Sequence, residues 1–352
     1  MSPDSCAHLE RMRRLACWVG ALLFLPTFPL SFLSVTTPVS TIGFLYVVAT
    51  VLIVSGLATA PWRRTEWRGI TRVGLLLLVG VLAFRITTAK HGATIFMHRG
   101  GADSPPLDRL IPERDVSVTS ARAVILAGIL PTNDTKHLVA TLKKSFARMD
   151  ASENAYPSPI MMTLLQLQKR GATDTIEIPA PSADSHAAVL FLHGSGGNFT
   201  LQCWAVAQAS RKANAATFCP STRLAGDWWR GDGPQITRDL LTELRAHGYD
   251  RIVLAGLSNG GLGASRIAPQ LRDQIVGLML ISGASPDAAA AGVPTIAFEG
   301  ANDTMMSPSI VRQYAENTGA TYLELDGTHF LLLEKLDDMT LKMSAWLTKR
   351  FG

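Results

Sequence analysis

The N-terminal part of the chain contains a long apolar stretch without charged residues. Between residues 15 and 62 there is no Asp, Glu, Lys or Arg. A helix that crosses the hydrocarbon core of a bilayer needs about 20 consecutive apolar residues. The stretch therefore predicts two membrane-spanning helices, at 15–35 and 41–60, joined by a short polar turn.

A third apolar run follows at 69–89 and is weaker as a candidate span. Its uncharged centre lies between Arg72 and Arg85 and is shorter than a bilayer requires. Both arginines lie near the ends of the run, where long cationic side chains can extend to the headgroups. We expect a membrane anchor at 1–90 with three transmembrane helices, and two helices remain the alternative.

Arginine-rich segments predict the orientation of these helices, because short loops rich in Lys and Arg stay in the cytoplasm. Such segments precede the first span, at 11–14, and follow the second, at 63–72. Three spans place everything after residue 90 outside the cytoplasm, whereas two spans place it inside. We expect an extracytoplasmic C-terminal part. The same arginines account for much of the net charge of +5, which therefore does not indicate a nucleic-acid partner.

Residues 91–173 have the least regular pattern and are interpreted as a linker with accessory helices. Pro, Gly and Asp are frequent at 98–113, which is typical of a linker. An amphipathic helix is predicted at 134–149, and a second, shorter helix at 157–169. The first of these helices either lies on an anionic bilayer or packs against the following domain, which is the interpretation we favour.

From residue 173 onward, short apolar strands alternate with helical periodicity. Near-continuous apolar strands separated by helices are typical of a mostly parallel sheet covered by helices on both faces. We therefore predict an α/β domain at 174–352, in which ligands bind at the carboxyl ends of the strands. The predicted strands are 173–178, 187–192, 215–219, 252–255, 275–282, 295–299 and 321–325.

A G-x-S-x-G sequence, GLSNG at 256–260, stands directly between a predicted strand and a predicted helix. In such a tight turn the flanking positions leave no room for side chains, so glycine is required. The serine is held in a strained conformation with its hydroxyl exposed. The alternative, a glycine-rich turn with an incidental serine, explains the strand and helix on either side less well. Ser258 is therefore the candidate nucleophile.

A nucleophilic serine needs a base and an acid that orients the base. His329, in DGTHF after the last strand, is the candidate base, and Asp303, in FEGANDTM after the preceding strand, is the candidate acid. Asp326 lies three residues before His329 and is expected to shape that loop. His193, in FLHGSGGN, is expected to hold its own loop by hydrogen bonds. The order Ser258, Asp303, His329 is the one described for α/β-hydrolases.

The segment HGSGGN, at 193–198, supplies small residues whose backbone N–H groups can face a developing negative charge. The expected oxyanion-hole donors are the backbone N–H groups of Ser195 and Asn259. Gly196 is an alternative to Ser195, and a merely flexible loop is the alternative to an oxyanion hole.

Four motifs together resemble the α/β-hydrolase superfamily over 174–352, namely FLHGSGGN, GLSNGG, FEGANDTM and DGTHF. The compact core is similar to serine esterases of the dienelactone-hydrolase-like, feruloyl-esterase-like and polyhydroxybutyrate-depolymerase-like kinds. The Ser-Asn-Gly-Gly turn also resembles that of prolyl-oligopeptidase-type peptidases. Two features differ: dienelactone hydrolases proper use a cysteine nucleophile, and this chain has no room for the propeller domain of a prolyl oligopeptidase.

The resemblance implies an α/β-hydrolase fold and a Ser-His-Asp mechanism without a metal or an organic cofactor. Ser258 would attack a carbonyl, His329 would accept and return the proton, Asp303 would fix the imidazole, and water would release the acyl group. The expected function is hydrolysis of carboxylic esters, with an acyl or other small ester as substrate and the bilayer as the second partner. A peptidase or thioesterase with the same residues, or a non-catalytic binding module tethered to the membrane, remains the alternative.

The substrate site is expected to be open. Lid domains in this superfamily usually follow the strand 275–282, and here only residues 283–294 separate it from the next strand, so no large lid fits. The rim is expected at 198–204 and 221–233. The two tryptophans of the second segment either grip an aromatic or acyl group or wedge their loop onto the core. The predicted substrate contacts are Asn198, Trp228 and Trp229.

Cys203 and Cys219 are the cysteines of the predicted α/β domain, and their spacing fits no metal-binding motif. A disulfide between them is an option if the domain lies outside the cytoplasm. Two buried thiols are the alternative, because cytosolic cysteines stay reduced.

Overall fold

The computed structural model describes residues 3–36, 40–60, 66–100, 107–168 and 173–352. The chain divides into two compact units, the first comprising Met1–Thr88 with Leu110–Ala123 and the second Ala89–Arg109 with Val124–Gly352. The predicted linker 91–173 is therefore shared between the two units.

Fourteen α-helices and eight strands occur in the described part of the chain. The helices are α1 (Pro3–Thr36), α2 (Thr41–Ala58), α3 (Glu66–Thr88), α4 (Leu107–Leu110), α5 (Glu113–Leu126), α6 (Thr132–Thr135), α7 (Leu138–Glu153), α8 (Ile160–Leu164), α9 (Thr200–Lys212), α10 (Gly233–Ala246), α11 (Asn259–Ile267), α12 (Pro308–Thr318), α13 (Leu331–Glu334) and α14 (Leu336–Phe351). The strands are β1 (Phe96–His98), β2 (Thr175–Ile178), β3 (Ala187–Leu192), β4 (Ala216–Pro220), β5 (Arg251–Leu257), β6 (Gly277–Ile281), β7 (Thr295–Gly300) and β8 (Thr321–Leu325).

The first unit is built on the apolar helices α1, α2 and α3. Helices α2 and α3 pack closely because Gly74 presents no side chain, and a Cβ there would lie 2.9 Å from the Ala49 carbonyl oxygen. The N-terminus of α2 is capped by Ser40, whose Oγ accepts a hydrogen bond from the Gly43 N–H (3.0 Å). Ser40 in turn donates its N–H (2.7 Å) and its hydroxyl (2.5 Å) to the buried carboxylate of Asp115.

Helices α2 and α3 are long and apolar enough to cross a membrane, judged by length and composition alone. Helix α3 contains the run that was the weakest candidate in the sequence, and it extends unbroken over 23 residues. The first predicted span, 15–35, falls within α1, which contains Pro26 and Pro29. The side chains at the end of that span lie outside the described residues.

The second unit is an α/β domain built around one mostly parallel sheet. Its eight-stranded sheet has the order β1-β2-β4-β3-β5-β6-β7-β8. Strands β3 to β8 run parallel to one another, whereas β2 is antiparallel to both of its neighbours, β4 and the edge strand β1. Strand β1 was not predicted, because its three residues are too few to show a strand pattern and lie in the irregular segment after the anchor.

Helices cover both faces of this sheet, because side chains of a strand alternate between faces. On one face, Leu190 and Leu192 of β3 pack in a core with Leu241 and Leu244 of α10 and with side chains from α11 and α12. Helices α9 and α14 lie outside that core but contact each other and the central strands, so they cover the other face. The connection 282–294 between β6 and β7 contains no helix.

Two accessory features are part of the second unit. Helix α7 buries Leu138, Phe146 and Met149, and Arg148 pairs with Asp337 of α14 at 2.8 Å, so α7 packs on the α/β unit as favoured from the sequence. It begins four residues later than predicted, because 132–135 forms the separate turn α6.

The other accessory feature is a disulfide between Cys203 of α9 and Cys219 of β4. Of the two alternatives left open by the sequence, the structure therefore has the bonded pair rather than two buried thiols.

Candidate active site

Ser258 lies on the tight turn between β5 and α11, at φ 54° and ψ −119°. Residues other than glycine rarely adopt positive φ, and such a conformation costs on the order of 1–3 kcal/mol. The neighbouring glycines explain how the turn forms. A Cβ on Gly256 would lie 2.3 Å from the Gly260 carbonyl oxygen, and one on Gly260 would lie 2.0 Å from that of Leu192. Glycine at both positions therefore lets the chain turn sharply and present the serine hydroxyl.

The structure brings together the three residues predicted to carry the chemistry. Ser258 Oγ lies 2.9 Å from Nε2 of His329, and His329 Nδ1 lies 2.7 Å from Oδ2 of Asp303. Each residue lies in a loop that begins at the carboxyl end of a strand: Ser258 directly follows β5, Asp303 lies in the loop after β7 and His329 in the loop after β8. These ends meet at one edge of a parallel sheet. His329 and Asp303 are buried, while Ser258 stays partly exposed, so a reactant could reach the hydroxyl.

The carboxylate of Asp303 is held in one orientation. Its Oδ1 accepts hydrogen bonds from the backbone N–H groups of Met305 (2.8 Å) and Met306 (2.7 Å), which leaves Oδ2 for His329. The other carboxylate of this region, Asp326, has a side chain that is 90% exposed and accepts a hydrogen bond from Asn302 instead. Geometry therefore favours Asp303 as the partner of the imidazole.

Glu299, the penultimate residue of β7, places a second carboxyl group beside Asp303. Its side chain is fully buried, and the Gly300 N–H donates to its Oε1 at 2.9 Å. Burial raises the pKa of Glu299 well above its usual range, and the charge of neighbouring Asp303 raises it further. Glu299 is thus a neutral acid at pH 7. The sequence analysis did not single it out, although a Glu within an apolar strand four residues before Asp303 was a usable signal.

Glu299→Gln is expected to make stability less sensitive to pH. Because the native pKa of Glu299 lies above its unfolded value, the native state binds one more proton between those values, and wild-type stability falls as pH rises through that interval. The amide cannot titrate. The free energy of unfolding of the variant, relative to that of wild type, should therefore rise by up to about 1.4 kcal/mol for each unit of increasing pH in that interval. Melting temperatures in detergent between about pH 5 and about pH 9 measure this, with Asp326→Asn as control. Parallel curves for wild type and variant would contradict it.

The loop after β3 lies directly against the nucleophile, since a Cβ on Gly194 would be 3.0 Å from the Cβ of Ser258. The Gly196 N–H is occupied by the Leu224 carbonyl at 2.8 Å, whereas no hydrogen bond within the described residues occupies that of Ser195. Asn259 is the first residue of α11, so its N–H has no partner within the helix. Of the two alternatives for the loop donor, Ser195 is therefore the one available.

The side chain of Asn259 ties the two halves of this candidate oxyanion hole together. Its Nδ2 donates to Ser195 Oγ and to the Ala225 carbonyl, both at 2.8 Å, and Ser195 Oγ donates to the same carbonyl at 3.0 Å. The backbone N–H groups of Ser195 and Asn259 are thus held in place by side-chain contacts of the same two residues.

His193 stabilises the loop after β3 by hydrogen bonds from its buried ring. It is fully buried, and burial lowers its pKa to about 4, so the ring is neutral at physiological pH. Its Nε2 accepts the Thr222 N–H at 3.1 Å, which assigns the ring proton to Nδ1, where it is donated to the Gly194 carbonyl at 2.7 Å. These contacts agree with the loop-holding role expected for His193.

Two of the predicted substrate contacts are corrected by the structure. Trp228 is fully buried, and its Nε1 donates to the His193 carbonyl at 2.8 Å, so it wedges its loop onto the core. Asn198 is also fully buried and donates to the Cys219 carbonyl and to Ser221 Oγ, both at 2.9 Å. Neither side chain can be reached by a substrate.

Trp229 is different. It is partly exposed, and the guanidinium groups of Arg230 and Arg266 lie 5.6 and 5.4 Å from its ring centre. It therefore remains a candidate substrate contact. Within the described part of the chain, no cluster of three or more His, Cys, Asp or Glu side chains is placed to hold a metal ion.

No protein-family model matches this sequence, and no curated protein is significantly similar to it. Solved structures with a similar fold include a lidless α/β serine hydrolase from Xanthomonas campestris, at 17% identity and a TM-score of 0.44, covering 52% of this chain and 91% of that one. Est1E from Butyrivibrio proteoclasticus, solved with bound ferulic acid, is 12% identical (TM-score 0.43, 51% and 95% covered). A monoacylglycerol lipase from Paleococcus ferrophilus is 15% identical (TM-score 0.41, 50% and 98% covered).

Proposed function

We propose that this protein is a serine hydrolase that cleaves carboxylic esters through an acyl-enzyme intermediate, with Ser258 as nucleophile. The observation that carries this proposal is the continuous hydrogen-bonded chain from Ser258 Oγ through the His329 imidazole to Asp303. That chain begins at a strained, partly exposed serine, which is the arrangement that nucleophilic catalysis requires.

In the proposed mechanism, His329 Nε2 removes the hydroxyl proton while Ser258 Oγ attacks the carbonyl carbon of the ester. The negative charge that develops on the carbonyl oxygen is stabilised by the N–H groups of Ser195 and Asn259. His329 then gives the proton to the leaving alcohol. Asp303 keeps the other ring proton on Nδ1 and stabilises the imidazolium. In the second half, His329 activates water, which attacks the acyl group and frees Ser258.

A fluorophosphonate probe tests this proposal without knowledge of the natural substrate. It phosphonylates an activated serine hydroxyl and releases fluoride, so the full-length protein in detergent should gain one adduct, located by peptide mass spectrometry at Ser258. A panel of p-nitrophenyl esters, an anilide and a thioester then identifies the bond that is cleaved. A protein that remains unlabelled under these conditions would instead be a binding module with a hydrolase fold.

We also propose that the N-terminal helices anchor the protein in a membrane and that the α/β unit faces the extracytoplasmic side. The division is a membrane anchor at 1–90, an accessory segment at 91–173 and a catalytic domain at 174–352. Support comes from the length and apolarity of α2 and α3, from the arginine-rich segments at 11–14 and 63–72, and from the Cys203–Cys219 disulfide. Disulfides persist mainly outside the reducing cytosol.

Reporter proteins fused after Gly352 are expected to report an extracytoplasmic C-terminus. Alkaline phosphatase should be active, because it needs an oxidising compartment, and green fluorescent protein exported in the unfolded state should be dark. A fluorescent fusion together with an inactive phosphatase fusion would contradict the topology and favour two spans. It would leave the proposed chemistry of Ser258 unaffected.

A further inference from the structure

Asp134 is a buried carboxylate that contacts both loops carrying the partners of Ser258. It lies in the one-turn helix α6, outside the predicted catalytic domain, and its side chain is fully buried. Its Oδ1 accepts the backbone N–H of His329 at 3.1 Å and that of Thr304 at 3.2 Å. Its Oδ2 accepts the hydroxyl of Thr304. One carboxylate thus bridges the residue after Asp303 and the backbone of the base itself.

These contacts determine how the acid and the base face each other. Asp303 and His329 are on loops that leave different strands, β7 and β8, and their hydrogen bond requires the two loops to keep one relative position. Hydrogen bonds accepted by a carboxylate are stronger than those between neutral groups. Asp134 is therefore well suited to hold the loops in register.

Neighbouring contacts of the same short segment act on the same loops. The Asn133 side chain donates to the Asn302 carbonyl at 2.9 Å, one residue before Asp303. The Thr328 hydroxyl lies 3.4 Å from the Asp134 carbonyl oxygen, one residue before His329. Residues 133 and 134 therefore contact both loops: the residues before and after Asp303, and His329 together with the residue before it.

We propose that Asp134 is a positioning residue for the reaction, supplied by the accessory segment rather than by the α/β domain that carries the reacting groups. This inference rests on the proposed function. Asp134 does not touch the reacting atoms and acts through the backbone of Thr304 and His329. Losing it should let the imidazole shift relative to Ser258, and misplacement by about 1 Å can cost about a hundredfold in rate.

Glu153 provides a matched control within the same accessory segment. It too is a buried carboxylate that accepts both the N–H (2.7 Å) and the hydroxyl (2.8 Å) of a single threonine, in this case Thr94. Its partner belongs to the segment before β1 rather than to the loops of Asp303 and His329. Replacing Glu153 removes the same kind of interaction without disturbing the proposed reacting groups.

The test compares Asp134→Ala, Asp134→Asn and Glu153→Ala in the full-length protein in detergent, with p-nitrophenyl acetate and a fluorophosphonate probe. Asp134→Ala should lower kcat and the labelling rate about a hundredfold and leave KM within about threefold of wild type. Glu153→Ala should lower the melting temperature but keep kcat within about threefold. Asp134→Asn should recover most of the rate, because its amide oxygen still accepts the His329 N–H and its NH₂ can donate to Thr304 Oγ1.

Wild-type kcat in folded Asp134→Ala, or equal losses in Asp134→Ala and Glu153→Ala, would overturn the positioning role. If Asp134→Ala does not fold, the pair Thr304→Val and Thr94→Val decides, since each removes one hydroxyl from one of the two carboxylates. A fall in kcat confined to Thr304→Val supports the role, and equal kcat values overturn it. An unlabelled and inactive wild-type protein would overturn the proposed function itself, which is a distinguishable result.

Discussion

Ser258→Ala is expected to lower kcat for p-nitrophenyl acetate at least about a thousandfold, the usual scale for a residue of a catalytic triad. The alanine keeps the strained turn but removes the only oxygen within hydrogen-bond distance of His329 Nε2 among the described side chains. His329→Ala should cause a loss of the same order, because the hydroxyl then has no base. Initial rates with the full-length variants in detergent measure both effects.

Ser282→Ala is the matched control for the nucleophile. Ser282 directly follows the neighbouring strand β6 and also has a positive φ of 48°, but it is fully buried. We expect this variant to keep wild-type kcat. Activity retained in Ser258→Ala would show that ester hydrolysis occurs elsewhere in the preparation or by a different nucleophile.

Asp303→Asn is expected to reduce kcat by about ten-thousandfold, a loss typical of the wrong histidine tautomer. Two backbone N–H groups face Oδ1, so the amide oxygen must occupy that position and the NH₂ group must face His329 Nδ1. The imidazole would then carry its proton on Nε2 and could not accept one from Ser258. Initial rates, together with a melting curve to confirm folding, measure the effect.

Asp326→Asn serves as the comparison for the acid, because its exposed side chain contacts Asn302 and Lys335 rather than the imidazole. Its activity should stay close to that of wild type. An inactive Asp326→Asn together with an active Asp303→Asn would assign the orienting role to the other carboxylate and contradict the geometry.

The sequence alone determined the features that depend on local signals. Apolar runs of about five residues identified the buried strands β3 to β7, because buried parallel strands are apolar on both faces. Glycine spacing identified the turn at Ser258, because backbone contacts leave no room for a Cβ at the flanking positions Gly256 and Gly260. Placing Asp303 and His329 after successive strands was enough to predict their proximity, because strand ends of a parallel sheet share one edge.

Only the tertiary structure decided which loop residues face solvent and which face the core. Trp228 and Asn198 belong to rim segments by sequence, yet both are buried, because loop residues have no periodicity that would reveal what packs against them. The choice of Ser195 over Gly196 likewise depended on the Leu224 carbonyl, a partner from a distant loop. The same holds for the disulfide, which requires α9 to pack beside β4.

Asp134 is the clearest case of a role that sequence patterns could not indicate. The hydrogen bond to His329 joins positions 195 residues apart. In the sequence Asp134 reads as the polar start of an amphipathic helix. The helix instead begins at Leu138, and the carboxylate turns inward to the loops after β7 and β8. Local patterns report which face of an element is apolar, whereas a buried polar contact depends on two surfaces that meet only when the chain has folded.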